Sequence, residues 1–475
     1  MMLSVVACAS KDTGGKDSKE NDGEEIIETD PAYDENVFEQ DGLEDALDFK
    51  QQQVTILWTQ EYARYCDDIE ETNDIVNDAL YKRDRRVEER INVKINNVSI
   101  PGNWNVQEEF RKTVMSSVQA KDGAYDVVTG LYSIVPSLIY DGYMTDMMEL
   151  DYFDFDKPWW MKGFKDECAI DGKLFWVSGD ISLLSIESIW CTAYNKNLLA
   201  ELNIEDPVDV IYNGGWTIDY LTESIKNAYA DKNGNSEVDD DDQFGYTVQD
   251  GPELMPYADG CGIKLTTMDE DNYPQLSINT EKAADFVTKM VDFLWKNKNV
   301  KFGLGLKPFT EGRVCFQMSQ FGRAKTYTKE MDDEFGFAPL PKWDEEQENY
   351  ISSVCDSLQL FGILSVCDHM DAVAAAMEAM ASESYRRVSP VYYEEALKIK
   401  YSKTDDAGKM FDLIRSSLTV NFGFVYGVML NSLNFQFRFS LDSKNSNWAS
   451  TCKSNERATT VAIDKLYKTV QEDYK

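Results

Sequence analysis

Histidine is almost missing from this sequence: the 475-residue chain has one, His369. Ser-His-Asp and Cys-His catalysis need an imidazole that takes a proton near neutral pH, and a His-rich zinc site needs several. His369 sits in Ser365-Val366-Cys367-Asp368-His369-Met370, where a strand end runs into a helix start. It reads as a structural or solvated residue. The nine cysteines, at 8, 66, 168, 191, 261, 315, 355, 367 and 452, never form Cys-x-x-Cys. That excludes zinc ribbons and thioredoxin-like motifs. Apart from Cys8 they read as buried free thiols, with any pairing among them left open.

Basic side chains are also scarce. Lys and Arg number 47 against 85 Asp and Glu, and 47 − 85 gives a net charge of −38. Phosphate binding needs clustered Lys and Arg, so nucleic acid is disfavoured. So are an anionic membrane surface and an anionic solute. No segment offers ~18 consecutive apolar residues to span a bilayer. There is no Walker loop, and Gly303-Leu304-Gly305-Leu306 lacks the rest of a dinucleotide fingerprint. With so many acids, carboxylate pairs arise by chance and single out no general acid and base.

What is present is a globular composition, 43% hydrophobic and 12% aromatic, long enough for two or three domains. The opening Val5-Val6-Ala7-Cys8 resembles the end of a bacterial lipobox, whose cysteine is lipidated. Only seven residues precede Cys8, so residues 1–8 read as a truncated signal remnant. Residues 9–50 hold 15 acidic and 4 basic side chains with few apolar ones. Such a segment cannot bury enough surface to fold, and 9–52 reads as a disordered acidic tether.

Order begins at the apolar run Val54-Thr55-Ile56-Leu57-Trp58. A stripe at helical spacing follows: Ile75, Ala79, Arg83, Val87 and Ile91, with Val76 and Leu80 beside it. Residues 92–98 alternate as a strand does, Phe110, Val114 and Val118 mark a second helix, and 124–130 a third strand. Strand, helix, strand, helix, strand is the pattern of a parallel sheet wound with helices. It recurs with strands at 174–177, 189–194, 335–341 and 357–364. Helices are expected at 196–202, 216–230, 281–297, 309–319 and 370–382, and through most of the last hundred residues. The class is α/β, and two similar lobes fit the length.

Two constellations carry chemistry. In Asp231-Lys232-Asn233-Gly234-Asn235-Ser236-Glu237-Val238-Asp239-Asp240-Asp241-Asp242, oxygen side chains fall at positions one, three, five, nine and twelve. That is EF-hand-type calcium spacing, with Glu237 offering its carbonyl at position seven. Asp231, Asn233, Asn235, Glu237, Asp239 and Asp242 are therefore candidate ligands of a structural Ca2+. Position six is Ser236 rather than Gly, and position twelve is Asp242 rather than Glu. No organic cofactor is indicated. The second constellation is aromatic. Trp58 and Tyr132 lie at strand ends, where doubly wound sheets bind ligands, and flat rings stack on sugars. Trp159, Trp160 and Trp216 are further candidates, with core packing the plainer reading for each. Val177-Ser178-Gly179-Asp180-Ile181-Ser182 is a small polar break suited to a hinge, with Asp180 placed to accept from a ligand hydroxyl.

In order along the chain, several segments resemble a known family. They are Ala79-Leu80-Tyr81-Lys82-Arg83 through Ile91-Asn92-Val93, Tyr125-Asp126-Val127-Val128, Asp171-Gly172-Lys173-Leu174-Phe175 and Ala193-Tyr194-Asn195-Lys196-Asn197-Leu198-Leu199. Gly215-Trp216-Thr217, the calcium-like loop running into Gln243-Phe244-Gly245-Tyr246, and Phe309-Thr310-Glu311-Gly312-Arg313-Val314 complete the set. Over about residues 53–470 the chain resembles the extracellular solute-binding lipoproteins of ATP-driven importers, in the maltose-binding-like family 1. The resemblance implies a type II periplasmic-binding-protein-like fold of two lobes, each a sheet flanked by helices, joined by hinge crossovers. Lobe 1 would comprise 53–180 and 344–385, and lobe 2 181–343 and 386–475. It implies a monomer without catalysis, lipid-anchored on the extracellular face of a bacterial membrane. Such a protein traps an oligosaccharide between its lobes and delivers it to ABC permease transmembrane subunits. Trp58, Tyr132 and Asp180 would line the cleft. A secreted calcium-binding glycoside hydrolase and a surface adhesin without a transport role are the alternatives.

Overall fold

The computed structural model describes residues 39–65, 74–394 and 406–474. The expected signal remnant with Cys8, most of the expected tether, and Cys66 lie outside the described residues. Among the described residues, eleven strands follow in chain order: β1 Gln52–Thr59, β2 Val93–Ile100, β3 Val127–Leu131, β4 Trp190–Asn195, β5 Phe244–Val248, β6 Thr266–Met268, β7 Pro274–Leu276, β8 Val300–Phe302, β9 Val314–Gln320, β10 Phe335–Ala338 and β11 Gln359–Ile363.

The first sheet has the order β11-β3-β1-β2. β1 runs parallel to β2, from Gln52 opposite Val93 to Thr59 opposite Ile100, and parallel to β3 at Ile56 and Val127. β11 is antiparallel to β3. β1 is buried from Val54 to Thr59, as an unbroken apolar run covered on both faces requires. The helix Ile75–Ile91 packs on this sheet. Asp74 caps its start by accepting from the Val76 and Asn77 amides, and Asn92 ends it in the left-handed region at φ 52°. Arg83 on its stripe is fully buried. It pairs with Asp84 and donates to the Ile181 carbonyl and the Ser384 hydroxyl.

The second sheet has the order β10-β4-β9-β5-β8. β5 is parallel to β8 and β9, whereas β4 is antiparallel to β9 and β10. Its central strand, β9, occupies residues expected to be helix at 309–319. Val314, Phe316 and Met318 alternate with Cys315, Gln317 and Ser319, a period of two that fits a strand, and all six are buried at the centre of the sheet. The expected strand at 174–177 is reduced to a single bridge at Val177, and the helix at 216–230 to Ile218–Ser224.

Two chain segments cross between the sheets side by side. Val177 pairs antiparallel with Phe361, and Ile189 with Val354. After β11, the helix Met370–Glu383 is buried along almost its whole length, as its Ala-rich sequence allows. The C-terminal helix Trp448–Asp473 ends at Tyr474, whose ring meets Phe175 and whose hydroxyl donates to the Ile139 carbonyl.

Packing starts earlier than the expected boundary at residue 53. Leu43 is buried, and Asp41 forms ion pairs with Arg90 at 2.6 Å and Arg386 at 3.3 Å. Those partners pull the Asp41 pKa down to about 2 against the opposing effect of burial. Acidic composition hid this carboxylate among the others of residues 9–52. All seven cysteines among the described residues are buried free thiols. No helix among the described residues is long and apolar enough to cross a membrane.

Candidate ligand-binding cleft

The carboxyl ends of β1 and β9 open on one cavity of about 700 Å³. In parallel sheets the strand ends expose unpaired backbone and loop side chains, so ligands collect there. Tyr62 stands in the turn after β1, and Asp74, Val76, Asn77 and Leu80 come from the cap and first turns of the following helix. Gln320 ends β9, and Gly322, Arg323 and Lys325 follow it. Leu184, Glu187 and Ser188 of the outgoing crossing and Ser357 of the returning one complete the lining. The set mixes one aromatic ring, both signs of charge, amides and hydroxyls. That is what holding a polar solute in a fixed orientation needs.

Gly322 lets the β9 turn approach the outgoing crossing. A Cβ there would meet the Glu187 carbonyl and Cβ at 3.2 Å. Arg323 is held from behind by Glu253 at 2.7 Å. Burial pushes the Glu253 pKa up to about 7, with Arg323 pulling the other way.

None of the six aromatic and acidic residues singled out in the sequence lines this cavity. Trp58 is buried in the first core, donates to the Asn97 side chain at 2.9 Å, and sets its ring edge-on to Phe361. Tyr132 is covered by the C-terminal segment: its ring stacks on Phe424 at 4.6 Å, and its hydroxyl accepts from Asn434 at 2.9 Å. Trp216 fills the second core and donates to the Pro339 carbonyl at 2.8 Å. A strand-end position is thus not enough, because later chain can pack over it.

Trp159 and Asp180 line a different cavity, of about 430 Å³, on the same outgoing crossing, together with Trp160, Tyr385 and Arg415. Both indoles donate to Glu378, at 3.0 and 2.8 Å. Asp180 is buried, pairs with Arg415 at 2.5 Å and accepts from Ser389 at 2.8 Å. Burial pushes its pKa up, while Arg415 and Ser389 pull it down. Gly179 passes so close to the Trp159 carbonyl that a Cβ would lie 2.1 Å from it. The sequence break at 177–182 is therefore a tightly bound crossing, and Asp180 ties it to the helix Asp406–Ser416.

The loop Asp231–Asp242 folds around its own oxygens. Asp231 accepts from the Gly234 and Ser236 amides, and Asp242 accepts from the Lys232 and Asp239 amides and the Tyr229 hydroxyl. Ser236 takes the positive φ, 64°, that glycine would supply at position six.

The cleft residues Gln320 to Lys325 carried one signal in the sequence. The Phe-Gly-Arg turn follows the seven residues of the central strand, whose last is Gln320, but it is visible only once β9 is read as a strand.

Comparison with solved structures decides the architecture. The cyclic α-maltosyl-1,6-maltose binding protein of Arthrobacter globiformis matches with a TM-score of 0.57 at 15% identity, covering 86% of this chain and 98% of that one. The maltose/maltodextrin-binding domain MalE of Bdellovibrio bacteriovorus, bound to maltotriose, matches with a TM-score of 0.52 at 15% identity, covering 87% and 99%. An ABC substrate-binding protein of Listeria monocytogenes in complex with cycloalternan matches with a TM-score of 0.50 at 15% identity, covering 89% and 99%. The fold is that of the two-lobed, type II solute-binding proteins. The expected α/β class, with two sheets flanked by helices and joined by crossovers, is the one observed. No model of a protein family matches the chain, and no curated protein matches it.

Proposed function

We propose that this protein is the substrate-binding component of an ABC importer and holds an oligosaccharide in the cleft between its two sheets. The observation that carries this is the cavity at the carboxyl ends of β1 and β9, floored by the paired crossings, in a fold whose solved examples bind maltotriose and cycloalternan. Tyr62 offers a stacking face, and Asn77, Glu187, Gln320 and Arg323 offer hydrogen bonds to hydroxyls. Closure needs ligand contacts that exist in only one arrangement of the lobes, and the two crossings are the place for that bend. The protein acts by binding, without catalysis, as a monomer. It is anchored through lipidated Cys8 on the extracellular face and passes its solute to the permease subunits.

Titrating the protein by calorimetry with a panel of malto-oligosaccharides and other neutral glycans tests this. Saturable binding that Tyr62→Ala weakens is expected. No heat and no thermal shift with any glycan would sink it. Asp74 and Glu187 are carboxylates of the cleft, so release of reducing ends from a bound glycan would turn the reading into a hydrolase.

The loop Asp231–Asp242 supports a structural Ca2+ in this reading. Its donors are carboxylates, amides and the Glu237 carbonyl, the hard oxygens calcium takes. Ca2+ is expected to raise the thermal midpoint, and Asp231→Ala to abolish that rise.

A further inference from the structure

We infer that Asp126, Cys367 and His369 form a zinc site at the end of the first sheet opposite the cleft. Asp126 immediately precedes β3, and Cys367 and His369 lie in the loop after β11. One ligating atom from each lies within 4.8 Å of the other two. A sulfur, a nitrogen and an oxygen at one point are the borderline-soft set that suits zinc and suits calcium or magnesium poorly.

The backbone fixes this arrangement. Asp126 donates its amide to the Thr55 carbonyl, and its carboxylate Oδ2 accepts from the Thr55 amide at 2.8 Å. Its own carbonyl accepts from Leu364, whose carbonyl in turn accepts from the Cys367 amide. The strand pairing that builds the sheet therefore presents both the carboxylate and the thiol. The Cys367 thiol reaches the same carboxylate.

The histidine supplies the independent observation. Its Nδ1 lies 2.7 Å from Asp368 Oδ1, so Nδ1–H donates to that carboxylate and the lone pair is left on Nε2. A carboxylate on the outer nitrogen is how proteins commonly orient a metal-bound imidazole. Nε2 is buried and makes no hydrogen bond, yet it faces Asp126 Oδ1 at 3.3 Å. A lone pair on Nε2 and a carboxylate oxygen this close in a buried place repel unless a proton or a metal ion lies between them. Zinc bonds of about 2.0–2.2 Å at tetrahedral angles separate neighbouring N and O ligands by about 3.3–3.5 Å. The observed spacing is that edge. One carboxylate, one thiolate and a neutral imidazole also balance the two charges of the ion. Three protein ligands leave a fourth position for water.

The test uses the whole chain, stripped with chelator and dialysed, in excess Ca2+ so that the acidic loop cannot account for the result. Zn2+ alone is titrated by calorimetry, and Co2+ alone is followed by absorbance. One equivalent of Zn2+ is expected, with a rise in thermal midpoint. The Co2+ form should show the intense near-ultraviolet band of a thiolate ligand. Cys367→Ser should abolish that band, and His369→Gln should weaken Zn2+ binding at least tenfold, with glycan binding in the cleft unchanged by either. A wild-type Co2+ spectrum without the thiolate band would overturn the site. So would undiminished Zn2+ affinity in both variants; the cation between Nε2 and Asp126 is then a proton on the imidazole.

Discussion

Two cavities flank the same outgoing crossing, and they divide the chemistry of this molecule unevenly. The one at about 430 Å³ has the tryptophans, the buried acid and the stacked arginine. The one at about 700 Å³ has a single tyrosine among amides, hydroxyls and charges. By composition the first resembles a sugar site. By bonding it is a joint: both indoles are held by Glu378, Asp180 is held by Arg415, and the Arg415 guanidinium lies 5.1 and 5.5 Å from the Tyr385 and Tyr393 ring centres. Aromatic residues mark binding only where their faces meet solvent. Here position beyond the strand ends separates the cleft from the joint.

The sharpest way to break this contrast is Trp159→Ala. Removing a fully buried indole should cost about 3–5 kcal/mol in urea denaturation while leaving glycan affinity within about threefold. Affinity that collapses while the fold survives would make the joint the binding site. Glu378→Gln probes the same joint through pH. Burial raises the Glu378 pKa from its ordinary 4.5 to about 7, against the pull of the two indole donors. Between those values the folded protein keeps a proton that the unfolded chain has released. The group's contribution is therefore full below about pH 4.5 and is lost as pH rises through about 7, a change on the order of 3 kcal/mol. The variant's stability relative to wild type should accordingly improve between pH 5 and pH 8, and an unchanged difference would contradict the buried acid.

On the cleft side the expected sign reverses. Tyr62→Ala should weaken glycan binding about tenfold or more, roughly 1.4 kcal/mol or above, with the thermal midpoint of the free protein nearly unmoved. Smallest is Tyr132→Phe. It removes the acceptor for Asn434 and should cost about 1 kcal/mol of stability without touching affinity, which calorimetry and denaturation together would read.

Much of the first lobe was legible because its signals are local. The apolar run of β1, the stripe from Ile75 to Ile91 and the alternation of β2 each declare themselves within a few residues. The second lobe was harder. β9 alternates Val314, Phe316 and Met318 with Cys315, Gln317 and Ser319, a strand signal only six residues long inside a stretch expected to be helix. Asp41 looked like one more tether acid until Arg90 and Arg386 closed on it. His369 read as a solvated or structural residue because the carboxylate it faces stands at the start of another strand.

The amino-acid sequence by itself determined the α/β class, the strand-helix alternation through the first three strands and the low cationic charge, because periodicity and composition act over short stretches of chain. Only the tertiary structure decided which polar groups share a space. Tyr62 and Arg323 meet in the cleft, and Asp126 and His369 meet at the opposite end of the sheet. These neighbours come from strands far apart in the chain, and it is sheet order and the crossings between sheets that bring them together.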